Sequence, residues 1–195
     1  MRQERVGAGD ALLVVDVQND FLPGGALGVR NGDAVIPPLN AAIARFRRAG
    51  LPIYASRDWH PPDHCSFRDA GGPWPVHCVA GSRGAAFASA LALPPDVPVI
   101  SKATEASRDA YSAFDGTDLD HRLREDGVRR LFIGGLATDY CVRWTVQDAL
   151  AHGYEVVVLR DAVRPVEVRP GDGARALRAI RRRGARTVGR SALVA

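Results

Sequence analysis

The sequence contains very little lysine. Of its 26 lysines and arginines, one is a lysine, Lys102, which stands just after the apolar run 97–100. An ammonium group is a compact donor whose pKa can shift, whereas a guanidinium is planar and permanently charged. A surface ion pair would accept either cation, so Lys102 could be a chance exception in an arginine-rich chain. Its position relative to other reactive groups decides between a functional and an incidental lysine.

Cysteines are few, and long apolar runs are absent. The three cysteines, Cys65, Cys78 and Cys141, cannot all pair with one another, which excludes a fold organised by disulfide bonds. The first ten residues are polar, and no stretch is apolar enough for a membrane-spanning helix or a signal peptide. We therefore expect a cytoplasmic protein that does not enter a membrane.

A strong excess of one charge is also missing, since the formal net charge is +4. The arginines alternate with acids except at 181–183, where a predicted helix ends and cations also favour the helix dipole. We therefore expect no nucleic-acid partner. The length of 195 residues, with 46% hydrophobic and 25% charged, fits a single domain over 1–195. The sequence leaves a homo-oligomer open.

Short β-branched runs alternate with helical stretches along the chain. The predicted strands are 11–15, 52–55, 97–100, 131–133 and 156–159, and the predicted helices are 34–49, 119–126, 139–152 and 172–183. Gly50, Gly127 and Gly153 follow three of these helices and predict left-handed stops. The order is typical of a three-layer, doubly wound α/β fold with a mainly parallel sheet and helices on both faces. No glycine fingerprint follows the first strand, which argues against dinucleotide binding there.

Reactive side chains fall where four predicted strands end. Asp16 follows the first strand, Asp58 the second and Lys102 the third, and Cys141 opens the helix after the fourth. In a doubly wound sheet, ligands bind outside the carboxyl ends of the strands. We therefore expect these four side chains to meet in one cleft.

Cys141 is the candidate nucleophile. Thr138 is predicted to cap the helix, which places Cys141 at about its third position, where the helix dipole lowers a thiol pKa. The backbone amides of the same turn are candidates for an oxyanion hole. A buried cysteine that packs as a small hydrophobe is the alternative. Asp16 as proton acceptor and Lys102 as a fixed charge favour a nucleophilic thiolate.

An irregular segment at 57–84 is rich in histidine, with His60, His64 and His77 near Asp58. Imidazole and carboxylate form a ligand set suited to zinc, iron or manganese, so we expect one divalent transition-metal ion, zinc before the others. Solvated loop histidines are the alternative, and Cys65 and Cys78 are possible competing ligands because each follows a histidine. Three aromatic residues near the predicted cleft are candidates to hold a flat ring: Phe21, Trp74 and Tyr111.

Six segments together resemble the isochorismatase-like cysteine hydrolase family. They are 13–21 followed by Pro-Gly-Gly, 57–64 (Arg-Asp-Trp-His-Pro-Pro-Asp-His), 74–79, Lys102, 109–114 and 135–142 (Gly-Leu-Ala-Thr-Asp-Tyr-Cys-Val). The resemblance covers about 12–162 in the family's order. Beyond Val163 it extends only to the pattern of helix and strand.

The resemblance implies a role for each matching residue. It implies the catalytic triad Asp16, Lys102 and Cys141, and an oxyanion hole formed by the amides of Ala137 and Cys141 beside a cis bond between Leu136 and Ala137. The implied metal ligands are Asp58, His60 and His77, with His64 as a further ligand. The implied substrate-binding residues are Phe21, Trp74, Tyr111 and Leu136.

The implied activity is hydrolysis of nicotinamide to nicotinate and ammonia through a Cys141 thioester, with pyrazinamide as a further substrate and NAD salvage as the setting. One alternative is a family hydrolase that acts on an N-carbamoyl amide or an isochorismate-like compound. A second alternative is a non-catalytic metal-binding or redox-sensing module, which would leave Asp16 and Lys102 without a task.

Overall fold

The computed structural model describes residues 4–189 and the backbone of 193–194. The strands are β1 (Glu4–Arg5), β2 (Asp10–Val15), β3 (Ile53–Asp58), β4 (Val99–Lys102), β5 (Arg130–Leu136), β6 (Glu155–Arg164), β7 (Arg186–Val188) and β8 (Leu193–Val194). The helices are α1 (Ile36–Arg48), α2 (Leu119–Glu125), α3 (Cys141–Ala151) and α4 (Asp172–Arg182). No helix in this described part is long and apolar enough to cross a membrane.

Six strands form one parallel sheet in the order β4-β3-β2-β5-β6-β7, while β1 and β8 pair separately. The chain enters at β2, moves outward through β3 and β4, and then returns to β5 before moving toward the opposite edge. Because β2 and β5 are neighbours whose connections leave in opposite directions, a crevice opens between their carboxyl ends. This topology confirms the predicted doubly wound sheet.

Helices cover both faces of the sheet. Leu12 and Val14 of β2 pack in one apolar cluster with α1, which contributes Leu39, Ile43 and Phe46. The alternate residues Leu13 and Val15 pack in a second cluster with α2, α3 and α4, which contribute Leu119, Leu123, Val142, Val146 and Ile180. A strand buried on both faces needs apolar residues at successive positions, as β2 has. The three-layer arrangement is therefore confirmed.

The element boundaries differ from the predicted ones mainly where strands reach the crevice. β3 and β4 continue through Asp58 and Lys102, and β6 extends to Arg164. The backbones of these polar and charged residues still pair with neighbouring strands. β1, β7 and β8 were not predicted from the sequence, being only two or three residues long. The three glycines after helices have positive φ, which confirms the predicted stops.

Candidate active site

The four reactive residues predicted at strand ends meet in the crevice. Asp16 follows β2, Asp58 and Lys102 are the last residues of β3 and β4, and Cys141 is the first residue of α3. Asp58 and Lys102 are direct partners in the parallel register, so their side chains start from adjacent positions. All four residues are buried.

Lys102 lies at the centre of this group. Its Nζ atom is 3.0 Å from Asp16 Oδ2, forms an ion pair and hydrogen bond with Asp58 Oδ1, and is 3.5 Å from Cys141 Sγ. It also donates to the carbonyl of Ala110 at 3.3 Å. Burial favours the neutral amine, but Asp16 and Asp58 outweigh it and raise the pKa of Lys102 well above its ordinary value. The side chain is therefore a fixed cation.

Asp16 is positioned by β3. Ser56 donates its hydroxyl to Asp16 Oδ1 at 2.6 Å, and the Asp16 backbone N–H donates to the Ser56 carbonyl at 3.1 Å. Burial raises the pKa of Asp16; Lys102 opposes that shift and Asp58 adds to it. The same surroundings leave the pKa of Asp58 lowered, because Lys102 and His60 outweigh burial. The two carboxylates therefore differ, with Asp16 the stronger proton acceptor.

The pKa of the Cys141 thiol is shifted in the direction opposite to the one predicted from the sequence. Burial raises its pKa well above the ordinary value; Lys102 opposes this effect, while Asp16 and Asp58 strengthen it. The predicted lowering by the helix dipole is wrong because full burial beside two carboxylates outweighs a partial charge at a helix end. Cys141 is thus a neutral thiol at rest, and a base must remove its proton before it can attack.

The turn before α3 also differs in detail. Helix α3 begins at Cys141 and has no side-chain cap, so the predicted cap by Thr138 is wrong; the Thr138 hydroxyl is buried without a partner among the described residues. Instead, Asp139 accepts the backbone N–H groups of Val166 and Glu167 at 2.9 and 3.0 Å. These bonds attach the turn to the chain that follows β6.

The bond between Leu136 and Ala137 is cis, as the family resemblance implied. The Ala137 carbonyl accepts the N–H groups of Tyr140 and Val142, both at 3.1 Å. Within the described residues, the N–H groups of Ala137 and Cys141 have no backbone acceptor. Two free donors therefore remain beside the thiol, as an oxyanion hole requires.

Three of the predicted metal ligands come together next to the thiol. Asp58, His60 and His77 offer ligand atoms that all lie within 4.8 Å of one another. Nδ1 of His60 bonds to the carbonyl of His77 at 3.0 Å, and Nδ1 of His77 bonds to that of Pro75 at 2.7 Å. A carbonyl only accepts, so each Nδ1 carries the proton and each Nε2 keeps a lone pair for a metal.

Protonation state agrees with this donor set. Burial lowers the pKa of His60 to about 4, which makes the imidazole neutral near pH 7. Neutral histidines and an ionised carboxylate are what zinc, iron or manganese coordinate. The residues present therefore fit one divalent transition-metal ion.

His64 lies beside this group but is not part of it. Its Nε2 bonds to the carbonyl of Arg108 at 3.0 Å, so this nitrogen carries the proton, while Nδ1 accepts from Ser66 at 2.7 Å. His64 is absent from the group formed by Asp58, His60 and His77, but it forms a second candidate group with His60 and Asp109, whose ligand atoms also lie within 4.8 Å of one another. Among the described residues, Cys65 and Cys78 join neither group.

A cavity of about 440 Å³, open solvent included, is bordered by both the thiol and the metal ligands. Its wall includes Cys141 and the predicted aromatic residues Phe21, Trp74 and Tyr111. Trp74 Nε1 donates to the Tyr111 hydroxyl at 2.9 Å, which fixes both rings. The aromatic lining suits a small flat ring.

The structure corrects the set of ring-binding residues at two positions. Leu136 is not in the cavity wall, because its side chain is buried in the apolar cluster on the α1 side of the sheet. Tyr140 is in the wall instead, with its ring centroid 5.0 Å from that of Trp74. The position of Tyr140 directly before Cys141 in the sequence is the signal that could have identified it as a wall residue.

Two polar residues that were not predicted to be functional anchor the histidine-rich segment 57–84 by hydrogen bonds. Gln18 accepts the N–H of Asp58 and donates to the Asp58 carbonyl, both at 2.8 Å, and it donates to Ala85 at 2.9 Å. Asp20 accepts the N–H of Cys78 at 2.8 Å and lies against Gly84, where a Cβ would come within 2.0 Å of its carboxylate. Both residues follow β2 in the motif 13–21.

Comparison with known proteins agrees with this geometry. The Escherichia coli (strain K12) nicotinamidase is 40% identical over 187 residues, which cover 85% of this chain and 88% of the relative. The crystal structure of a pyrazinamidase of Pyrococcus horikoshii in complex with zinc has a TM-score of 0.89 and 52% identity, and the match covers 93% of this chain and 99% of that one.

A crystal structure of PnC1 from L. infantum in complex with nicotinate has a TM-score of 0.91 and 37% identity, with 100% of this chain and 99% of that one covered. The sequence profile described as the Isochorismatase domain matches residues 10–191. Because this match spans nearly the whole chain and includes every strand of the main sheet, the protein belongs to the isochorismatase family.

Proposed function

We propose that the protein is a metal-containing cysteine amidohydrolase that converts nicotinamide to nicotinate and ammonia, and that also hydrolyses pyrazinamide. One observation carries the proposal: a buried group of acid, lysine and thiol borders an aromatic-lined cavity whose wall also holds a metal-ligand set. Relatives named nicotinamidase and pyrazinamidase support the choice of substrate.

Acylation begins with the proton of Cys141. Asp16, whose pKa is raised by burial, accepts this proton, and the thiolate attacks the carboxamide carbon. The developing oxyanion is held by the free amides of Ala137 and Cys141, while Lys102 stabilises the negative charge on sulfur. Asp16 then returns the proton to the leaving nitrogen, which departs as ammonia, and a thioester remains.

Deacylation reverses these proton movements. Asp16 removes a proton from a water molecule, whose oxygen attacks the thioester carbon. The carbon–sulfur bond breaks, nicotinate leaves, and Cys141 regains its proton from Asp16. Lys102 and the two amides act again on the same developing charges.

Asp58, His60 and His77 would hold the metal ion, and we propose zinc in preference to iron or manganese. When bound, the ion would supply a Lewis acid that helps to orient the substrate ring. Phe21, Trp74, Tyr111 and Tyr140 hold the ring. A single domain over 1–195, a cytoplasmic location and a place in NAD salvage complete the proposal.

Ammonia release from a panel of amides tests this function. We expect release from nicotinamide and pyrazinamide, a loss of at least about 10³-fold in Cys141→Ala, and activity within about twofold of wild type in the control Cys65→Ala. Both variants should keep the circular dichroism spectrum of the wild type. Release only from an N-carbamoyl amide would favour the rival family hydrolase, and no release from any amide would favour a non-catalytic module.

Metal analysis tests the ligand set separately. Purified protein should contain about one transition-metal ion per chain, and His77→Ala should lose most of it because two remaining ligands bind weakly. The matched variant His64→Asn should retain the ion, since His64 Nε2 bonds to Arg108. Metal loss in a folded His64→Asn protein would instead add His64 to the ligands.

A further inference from the structure

A second, wider depression lies between α3 and α4, next to the catalytic cavity. It spans about 1170 Å³, open solvent included, and is lined by four arginines: Arg143 on α3, and Arg175, Arg178 and Arg182 on α4. The three positions on α4 follow helical spacing, so their side chains share one face of the helix. We call this depression the arginine groove.

The arginine groove holds more positive charge than its own acids neutralise. Of its two carboxylates, Asp172 pairs with Arg175 at 2.6 Å, and Asp139 accepts the backbone N–H groups of 166 and 167. In the described part of the chain, Arg143, Arg178 and Arg182 have no ion pair. The Nε atom of Arg143 is in addition buried without a hydrogen-bond partner there. Three guanidinium groups are therefore available to an anion.

Arginine bias alone does not explain this convergence. On α2, by contrast, arginines pair with acids one turn away, as Arg122 does with Asp118 and Arg124 with Asp120. On α4 the positions one turn from Arg178 and Arg182 carry no acid on the groove side. Arg178 and Arg182 are exposed, and together with Arg143 they line one concave surface on which their charge is not balanced by acids.

An exposed aromatic ring lies in the same wall. Trp144 on α3 is 42% exposed, and the Arg143 guanidinium is 5.5 Å from its ring centroid. An indole stacks on a flat base, and guanidinium groups bind phosphate oxygens in a planar, two-point geometry. A ligand with both an aromatic base and phosphates would use both features.

We propose that the arginine groove is a binding site for a nucleoside di- or triphosphate, with the base on Trp144 and the phosphates on Arg178, Arg182 and Arg143. The groove shares Tyr111 and Tyr140 with the catalytic cavity. The Tyr140 ring also contacts Trp74 and Tyr111. A ligand in the groove that shifts Tyr140 therefore changes the wall of the substrate cavity. A bound nucleotide therefore changes the KM for the amide, an effect that rests on the proposed function, whereas nucleotide binding itself does not.

Calorimetric titration with ADP and ATP at low and physiological salt tests the site. We expect saturable binding to the wild type that weakens as salt is added, and at least about tenfold weaker binding to the double variant Arg178→Gln/Arg182→Gln. The matched control is Arg181→Gln on the same helix, because Arg181 bonds to Thr187 and does not line the groove. Equal affinity in the double variant, or no saturation by about 1 mM ATP, would overturn the proposal.

Tripolyphosphate and Trp144→Leu separate a nucleotide from a plain polyphosphate. The substitution should weaken ATP binding and leave tripolyphosphate binding unchanged, because only the base meets the indole. If tripolyphosphate binds as tightly as ATP and Trp144→Leu affects neither, the nucleotide assignment is wrong.

The coupling to catalysis is measured with amide kinetics at saturating ATP. We expect the KM to change at least about twofold with little change in kcat, and no such change in Arg178→Gln/Arg182→Gln. An unchanged KM in the wild type overturns the coupling. A protein that binds ATP but releases no ammonia from any amide refutes the proposed function and not the site.

Discussion

At the scale of single residues, Lys102 supplies the positive charge that allows two carboxylates and a thiol to be buried side by side. Asp16 and Asp58 would repel one another in a buried cluster, and a shared ammonium lets at least one remain ionised. The pKa of Asp58 is lowered and that of Asp16 is raised, which favours Asp58 as the ionised carboxylate and Asp16 as the proton acceptor that we propose.

Lys102→Arg is the most direct test of this arrangement. The charge is kept, but a planar guanidinium is too wide to lie between Asp16, Asp58 and Cys141 in a fully buried site. We expect kcat for amide hydrolysis to fall at least about 100-fold with the fold retained, as checked by ammonia release and circular dichroism. Wild-type activity in this variant would mean that any buried cation suffices.

The pH profile should report the Asp16 cluster. Because the pKa of Asp16 is raised above 3.8 and its ionised form acts as base, kcat/KM should fall as the pH drops through that raised value. The apparent pKa belongs to the coupled group. The hydrogen bond from Ser56 lowers the Asp16 pKa, so Ser56→Ala should move the acid limb to higher pH. Ser101→Ala on β4 is the control and should not move it.

The same shifts act on stability with opposite signs. The raised pKa of Asp16 gives a stabilising contribution that is present below 3.8 and is lost as the pH rises through the folded-state value. The lowered pKa of Asp58 gives one that is present above 3.8 and is lost as the pH falls through its folded-state value.

The site residues that could be predicted from the sequence are reactive side chains located at the ends of predicted strands. Asp16, Lys102 and Cys141 end or follow separate strands, and a parallel sheet brings such ends together. The direction of the Cys141 pKa shift could not be predicted, because it depends on burial and on carboxylates distant in sequence. Ser56 was missed for a related reason: a serine within an apolar strand gives no sign of its partner.

At the scale of elements, the turn between β5 and α3 positions Cys141 and contains the cis bond. Gly135 has φ +130°, and a Cβ there would lie 2.0 Å from the Val15 carbonyl oxygen, one residue before Asp16. The strand can therefore approach β2 this closely only with glycine at 135.

Gly135→Ala should lower the free energy of unfolding by at least about 3 kcal/mol, through backbone strain together with the clash. The control Gly153→Ala also has a positive φ but has nothing within 4 Å of the added Cβ, so about 1 kcal/mol is expected. Urea denaturation measures both. Equal losses would show that φ alone determines the effect at 135.

Element order could be read from the sequence, whereas several boundaries could not. The alternation of strand and helix predicted α1 to α4 and five strands of the sheet, because each is long enough to show a pattern. The start of α3 was placed at 139 because Thr138 looks like a cap. Tertiary bonds from Asp139 to 166 and 167 instead hold that turn out of the helix.

At the scale of the whole molecule, Arg130 connects the start of the chain to the central sheet. It donates to both carboxylate oxygens of Asp10, at 2.8 and 2.6 Å, and to the carbonyl of Arg5 at 2.7 Å. It also lies 3.4 Å from Glu4. Asp10 and Glu4 are buried, so their charges need compensation: Arg130 pairs with both, and Arg186 also lies 3.4 Å from Glu4.

Arg130→Gln should therefore lower the free energy of unfolding by about 3 kcal/mol, since it leaves the buried Asp10 carboxylate without its ion-pair partner and Glu4 with Arg186 alone. Arg124→Gln is the control, because Arg124 pairs with Asp120 on an exposed helix surface and its loss should change little. Thermal denaturation compares the two variants. A similar small effect in both would mean that Asp10 and Glu4 are adequately solvated.

The general architecture followed from local patterns, but long-range pairs such as Arg130 with Asp10 did not, because 120 residues separate them. The family resemblance supplied the positions of the triad and the metal ligands. Contacts of the folded chain placed His64 in a second group with His60 and Asp109, and placed Tyr140 instead of Leu136 in the cavity wall.

Lys102 is the chain's sole side-chain amine, and it is 1% exposed. An amine-selective label added to the folded protein should therefore modify the α-amino group and leave every side chain untouched. A second label can attach only when the crevice between β2 and β5 opens. The rate of that second modification, followed by mass spectrometry, would time the opening of the catalytic centre without any engineered probe.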